Sequence, residues 1–146
     1  WSLSRDNRVF VAYDELPSSL IDALVATEDV RFYEHSGIDL RALSRAIIKR
    51  GLMGNANAGG GSTITQQLAK QLYSEHAAST LERLIQKPVE WVIAIKLERF
   101  YTKEELLTMY LNYFDFLNNA VGIKTAAKTY FGNTFSPKRN LIIYPA

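Results

Sequence analysis

The chain has no cysteine, so no disulfide or thiolate-bound metal can hold it together, and the redox character of its compartment stays open. It has no run of about eighteen apolar residues, which excludes a bilayer-spanning helix of ordinary length. An excess of one charge is also missing. The formal net charge is +2, which gives no bulk electrostatic case for nucleic acid and leaves any basic patch to local clustering. Histidine is scarce: His35 is one of two, and no second ligand at metal-site spacing accompanies it. A structural hydrogen bond is therefore the better reading of His35 than zinc. Tyrosine and phenylalanine are numerous but scattered at core spacings, so base stacking is a weak idea.

What is present is ordinary globular material. With 146 residues, 47% apolar and 22% charged, the chain suits one compact domain with a real core rather than a disordered segment. It begins at Trp1 and ends in the apolar stretch Leu141-Ile142-Ile143-Tyr144-Pro145-Ala146, which has no helix stop signal. The expectation is a single domain over 1–146, shortened at both ends, within something longer.

Helical periodicity dominates and strand signals are thin. Residues 1–16 alternate loosely (Val9, Val11, Tyr13) and suit a short strand or extended arm. Pro17-Ser18-Ser19 opens a helix with Leu20, Ile21, Leu24 and Val25 on one side, running to about Glu28. Asp39 caps a second helix, with Leu40, Leu43, Ile47 and Ile48 predicted as its apolar side and Arg41, Arg45 and Lys49 as a basic stripe. The stretch 51–61 reads as a Gly/Asn/Ala-rich loop. Capping-box spacing at Thr63/Gln66, Ser79/Glu82 and Thr102/Glu105 opens three further helices. Pro88 should kink or restart the second of these. A last helix runs from Ala120 to Phe131 and is ended by Gly132.

Two segments carry candidate chemistry. Glu28-Asp29-Val30-Arg31-Phe32-Tyr33-Glu34-His35-Ser36-Gly37 crowds three acids, an arginine and a histidine into ten residues. Glu28 follows Leu24-Val25-Ala26, and a carboxylate at the lip of an apolar wall is a plausible general base or acid. A lone glutamate there would more often be an exposed helix end. The second segment, Gly59-Gly60-Gly61-Ser62-Thr63-Ile64-Thr65-Gln66-Gln67-Leu68-Ala69-Lys70, is a glycine loop feeding a helix start. It lacks the Gly-Lys-Ser/Thr ending of a nucleotide loop. It offers backbone N–H groups at a helix N-terminus, and Gln66, Gln67 and Lys70 project from the first turns. Two neutral donors and a cation suit a sugar bearing a phosphate. Lys87 and Glu90 share a helix face, and in isolation they read as a surface ion pair. Carboxylate chemistry beside an anion cradle suggests group transfer from a phosphorylated donor.

In this order the segments resemble the peptidoglycan glycosyltransferase domain (glycosyltransferase family 51) of bifunctional penicillin-binding proteins and monofunctional transglycosylases. The pattern Glu-Asp-x-x-Phe-x-x-His-x-Gly is met by Glu28, Asp29, Phe32, His35 and Gly37. Gly-x-Ser-Thr-x-x-Gln-Gln is met by Gly60, Ser62, Thr63, Gln66 and Gln67. Arg-Lys-x-x-Glu is met at Lys87 and Glu90, with Gln86 where arginine is expected and Arg83 or Lys87 available to compensate. Lys103 through Leu107 and Tyr110-Leu111-Asn112 resemble a fourth motif. Gly122, Ala126, Ala127, Tyr130 and Phe131 resemble the stretch after it.

The resemblance implies an all-α, lysozyme-like fold with a short extended N-terminal arm, which polymerises lipid II into β-1,4-linked glycan strands and releases undecaprenyl pyrophosphate. It implies Glu28 as general base on the acceptor 4-hydroxyl, inversion at the donor C1, and Glu90 as a second essential carboxylate. Asp29, Arg31, Arg45, Ser62, Thr63, Gln66, Gln67, Lys70 and Lys87 would bind substrate, and a divalent cation (Mg or Mn) could sit at the donor pyrophosphate. The implied setting is the outer face of the bacterial cytoplasmic membrane, with lipid II, the growing glycan and the membrane surface as partners and no nucleic acid. The full-length protein would add a transpeptidase domain and an N-terminal anchor. Leu52 and Met53, beside Lys49 and Arg50, either touch lipid or pack beneath their loop. The rival readings are a lysozyme-like hydrolase or lytic transglycosylase, which needs no cationic cradle, and an inactive peptidoglycan-binding fragment.

Overall fold

The computed structural model describes residues 9–51, 61–73, 80–118 and 120–132. Six α-helices appear among them: α1 (Ser18–Glu28), α2 (Leu40–Gly51), α3 (Ile64–Tyr73), α4 (Thr80–Phe100), α5 (Lys103–Tyr113) and α6 (Ile123–Phe131), preceded by a 3-10 turn at Tyr13–Glu15. Among the described residues the only β pairing is an isolated antiparallel bridge between Asp115 and Val121. The all-α, lysozyme-like class expected from the sequence is the one found.

Helix α3 is the hub and packs on both α4 and α5. Ile64, Thr65, Gln66, Leu68 and Ala69 are all buried, a wider arc than an amphipathic surface helix needs. Against it α5 sets Leu106, Leu107, Tyr110 and Leu111, the i, i+1, i+4, i+5 stripe of a core-facing helix, and α4 sets Ala94 and Leu97. Phe32, from the turn after α1, is wholly buried in the same cluster, and burial of such a ring stabilises by about 1.5–3 kcal/mol.

Helix ends follow the capping chemistry. Thr102 and Glu105 form the reciprocal box at the start of α5, with bonds of 2.7 and 3.2 Å. Thr63 and Gln66 do the same at α3, with 2.9 and 3.1 Å. Asp39 Oδ1 accepts from Ala42 N at 3.0 Å and so caps α2. Gly132, left-handed at φ 68°, ends α6. That helix starts at Ile123 rather than Ala120, because Ala120 and Val121 belong to the hairpin closed by the Asp115 bridge. Pro88 lies inside α4 without restarting it. Residues 52–60 of the predicted loop, Leu52 and Met53 among them, and the Ser79 cap lie outside the described residues.

Of the two forms expected for the N-terminal arm, a strand or an extended arm, its described part takes the second. Asn112 holds it by imitating a strand partner: Val11 N donates to its Oδ1 and its Nδ2 donates to Val11 O, both at 2.8 Å. One expectation needs correction. On α2, Leu40, Ile47 and Ile48 are exposed. The helix approaches Gly61 through the backbone of Ala42 and Leu43 and the small side chain of Ala46. Lys103 is drawn towards the core, with its side chain 24% exposed. Its Nζ donates to His35 O at 2.8 Å, pairs with the buried Glu98 at 2.8 Å, and lies 4.3 Å from the Phe32 ring centroid.

Gly37 fixes how closely the turn after α1 meets α4. Its φ is +98°, and a Cβ there would lie 2.9 Å from the Ala94 carbonyl carbon and oxygen. Gly37→Ala is therefore expected to destabilise the domain by about 2–4 kcal/mol, from backbone strain plus contact with an unyielding main chain. Urea unfolding of the two proteins measures this, and a loss under about 0.5 kcal/mol would mean the contact is not tight.

Candidate active site

Glu28 is the last residue of α1 and is exposed, not partly buried as its apolar approach suggested. The turn after it is stitched to the start of α3. Asp29, 7% exposed, accepts on Oδ2 from His35 Nε2 at 2.8 Å and from Ile64 N at 3.1 Å. Gly37 N donates to His35 Nδ1 at 3.2 Å, so the ring proton on Nε2 is the one that reaches Asp29. Thr63 Oγ1 adds a bond of 2.7 Å to Gly37 O. His35 thus has the structural role predicted for it.

This stitching brings Gln67, one turn after Thr63, opposite Glu28. Gln67 Nε2 donates to Glu28 Oε2 at 2.9 Å, and Tyr110 OH donates to Gln67 Oε1 at 3.0 Å. Burial raises the Tyr110 phenol well above its usual range, and the Glu28 charge raises it further.

Two hollows meet at Gln67 and Ser62. One, about 380 Å³, is lined by Glu28, Asp29, Asp39, Arg45, Lys49 and Thr63 as well. The other, about 660 Å³, is lined by Gln66, Lys70, Gln71, Lys87, Glu90 and Asp115 among others. Both volumes fall in the range of roughly 300–1,000 Å³ usual for small-molecule sites. Lys70 is exposed. Lys87 Nζ lies 3.0 Å from Glu90 Oε2, with side-chain exposures of 55% and 4%, so this is a half-buried pair rather than a surface one.

The anion cradle differs from the expected one. Among the N–H groups opening α3, that of Ile64 goes to Asp29, that of Thr63 to Gln66 Oε1, and that of Gln66 to Thr63 Oγ1. The protein supplies its own anion at this helix end. Gln66 is 3% exposed and committed to the cap, so the positive charge facing a ligand comes from side chains: Arg45, Lys49, Lys70 and Lys87. Arg31 is bound through Nε and Nη2 to both oxygens of Asp39, which leaves it the tether of α2. Among the described residues no three His, Asp or Glu lie close enough to hold a metal. A cation shared with a bound pyrophosphate would find Glu90 and Asp115 as the carboxylates lining the larger hollow. The side chain of Arg83 lies outside the described residues.

Sequence reasoning missed three contributors. Tyr110 lies in the Tyr-Leu-Asn run of the fourth motif, which was its signal, but no role attaches to it from the sequence. Lys49 stood in the basic stripe without a site, and Asp115 carried no local signal.

A sequence model of the family described as Transglycosylase matches residues 2–139. Penicillin-binding protein 1F of Bacillus subtilis (strain 168) is 44% identical over 130 residues, covering 89% of this chain and 18% of the relative. Penicillin-binding protein 1A/1B of the same organism is 44% identical over 129 residues, covering 88% and 14%. Penicillin-binding protein 1A of Escherichia coli (strain K12) is 40% identical over 127 residues, covering 87% and 14%. The chain therefore spans less than a fifth of the length of these curated relatives.

The Arg31–Asp39 pair makes a pH prediction. Burial pushes the Asp39 carboxyl up, but Arg31 and the N–H groups of Ala42 and Arg41 outweigh it and hold it below its ordinary 3.8. A carboxyl depressed on folding contributes stability that is complete above that value and lost as pH falls through the lowered one. Asp39→Asn should thus be less stable than the parent at pH 7, with the gap narrowing towards about pH 2. Urea midpoints across this range test it, and a gap independent of pH would remove the charge from the account.

Proposed function

The chain belongs to the transglycosylase family, and from that premise we propose that it is the peptidoglycan glycosyltransferase domain of a penicillin-binding protein, polymerising lipid II into glycan strands. The observation that carries this reading is the position of Gln67. It separates a hollow holding Glu28 from one holding Lys70, Lys87 and Glu90, while Arg45 and Lys49 line the Glu28 side. A base beside several cations suits a sugar nucleophile and a diphosphate leaving group. It suits glycan hydrolysis less, since no anion then departs.

In this mechanism Glu28 takes the proton from the acceptor 4-hydroxyl as that oxygen attacks C1 of the donor sugar. The C1–oxygen bond to the lipid pyrophosphate breaks on the opposite side, and the configuration inverts. The pyrophosphate leaves as an anion that needs positive charge more than a proton, which Lys70 and its neighbours provide. Glu90, neutralised by Lys87, orients that side of the cleft.

We further propose a place at the outer face of the cytoplasmic membrane, within a longer protein that carries a transpeptidase domain and an anchor. Among the described residues no helix is long and apolar enough to cross a membrane. The exposed Leu40, Ile47 and Ile48, alongside Arg41, Arg45 and Lys49, support contact with a lipid surface where a polyprenyl substrate resides.

Glu28→Gln keeps shape and removes basicity, so polymerisation of labelled lipid II should fall by about a hundredfold or more. Retention within about threefold would sink the base assignment. On the same gel, cleavage of preformed glycan would mark a hydrolase, and no change of either substrate a binding module. Separately, Lys70→Ala should weaken binding of a phosphate-bearing donor analogue by about 1.5–3 kcal/mol. Lys128→Ala, exposed on α6, is the control. An equal loss from both would point to general electrostatics.

A further inference from the structure

Tyr110 has no task in the reaction just described. It is 2% exposed on α5 and packed at 4.8 Å, centroid to centroid, against Phe114. Yet its hydroxyl opens a chain of side chains from three helices: Tyr110 OH to Gln67 Oε1 at 3.0 Å, then Gln67 Nε2 to Glu28 Oε2 at 2.9 Å. The direction of this chain is fixed at both ends. An ionised carboxylate offers only acceptors, so the amide atom facing Glu28 is nitrogen. The amide oxygen then faces Tyr110 and needs a donor. The phenol supplies one throughout the neutral range, because burial and the Glu28 charge both disfavour its ionised form.

We propose that Tyr110 is a positioning residue for Glu28, acting through the Gln67 amide. The buried phenol holds the amide plane, and the amide pins Oε2. The other carboxylate oxygen is then aimed at an acceptor sugar hydroxyl. Without Tyr110 the half-exposed Gln67 side chain can rotate, and the carboxylate turns with it. Charged groups on the other walls of the same hollow, Arg45 and Lys49 from α2 and Asp29 and Asp39 from the turns, attract or repel the carboxylate but do not set its plane. Planar orientation by hydrogen bonding is the contribution specific to this chain. The inference rests on Glu28 being the base.

The test is a cycle of variants in the full-length protein, assayed for lipid II polymerisation. Tyr110→Phe keeps the ring and removes the donor. It should lower kcat about fivefold to tenfold with KM within about twofold, the size expected for one neutral hydrogen bond. Gln67→Met breaks the chain at a half-exposed position and so does not depend on core packing. It should lower kcat at least as much, and adding Tyr110→Phe to it should lower kcat no further. Losses that multiply, or a Tyr110→Phe enzyme with unchanged kcat, would overturn the proposal, as would a fall in melting temperature that accounts for the lost activity. Glu28→Gln in the same assay separates the two claims. If it is inactive while Tyr110→Phe is unaffected, only the positioning role fails. If it stays active, the base assignment fails and takes this inference with it.

Discussion

The carboxylate of Asp29 is the contact on which the rest of the site depends. It is buried and receives a ring N–H from His35 and the backbone N–H of Ile64 on a single oxygen. A buried carboxylate is tolerable only when its acceptors are filled, and here one donor comes from the turn that follows Glu28 and the other from the first residue of α3, the helix that carries Gln67. The acid also occupies the positive end of α3, which removes that end from ligand binding. Positive charge facing a ligand is thereby left to the side chains of Arg45, Lys49, Lys70 and Lys87.

A second buried charge secures the opposite side of the same turn. Glu98 accepts from Thr65 Oγ1 at 2.7 Å and from Lys103, while Lys103 reaches back to His35 O and covers Phe32. The turn after α1 is thus held from α3 by Asp29 and from α5 by Lys103. Such a buried pair adds little net stability over an apolar equivalent, but loss of either partner leaves the other charge stranded. Its value lies in fixing one geometry for a turn that contains little regular structure.

Much of this was legible in the sequence where the signal is local. The boxes at Thr63/Gln66 and Thr102/Glu105, the Asp39 cap and the Gly132 stop gave helix ends within a residue or so, because capping is decided by neighbours in the chain. What could not be read was the use of the same atoms twice. Gln66 opens α3 by filling its own N–H groups, which takes it out of the expected cradle. Arg31 is taken up by Asp39. For α2, periodicity identified Leu40, Ile47 and Ile48 as apolar, but the small residues Ala42 and Ala46 decide which side approaches the rest of the chain. Lys103 and Tyr110 have tertiary partners dozens of residues away, and no local pattern encodes those.

Asn112 ties the arm at Val11 to the end of α5 across a sequence separation of 101 residues. Loops of that length close late, since their entropy must be met before the contact returns anything. During synthesis the arm leaves the ribosome before any helix of the domain, yet its partner emerges only when α5 is complete. The earliest-made segment of the described fold is consequently among the last to dock. Until it does, Val11 and the backbone beneath it stay open to solvent, to chaperones and to proteases.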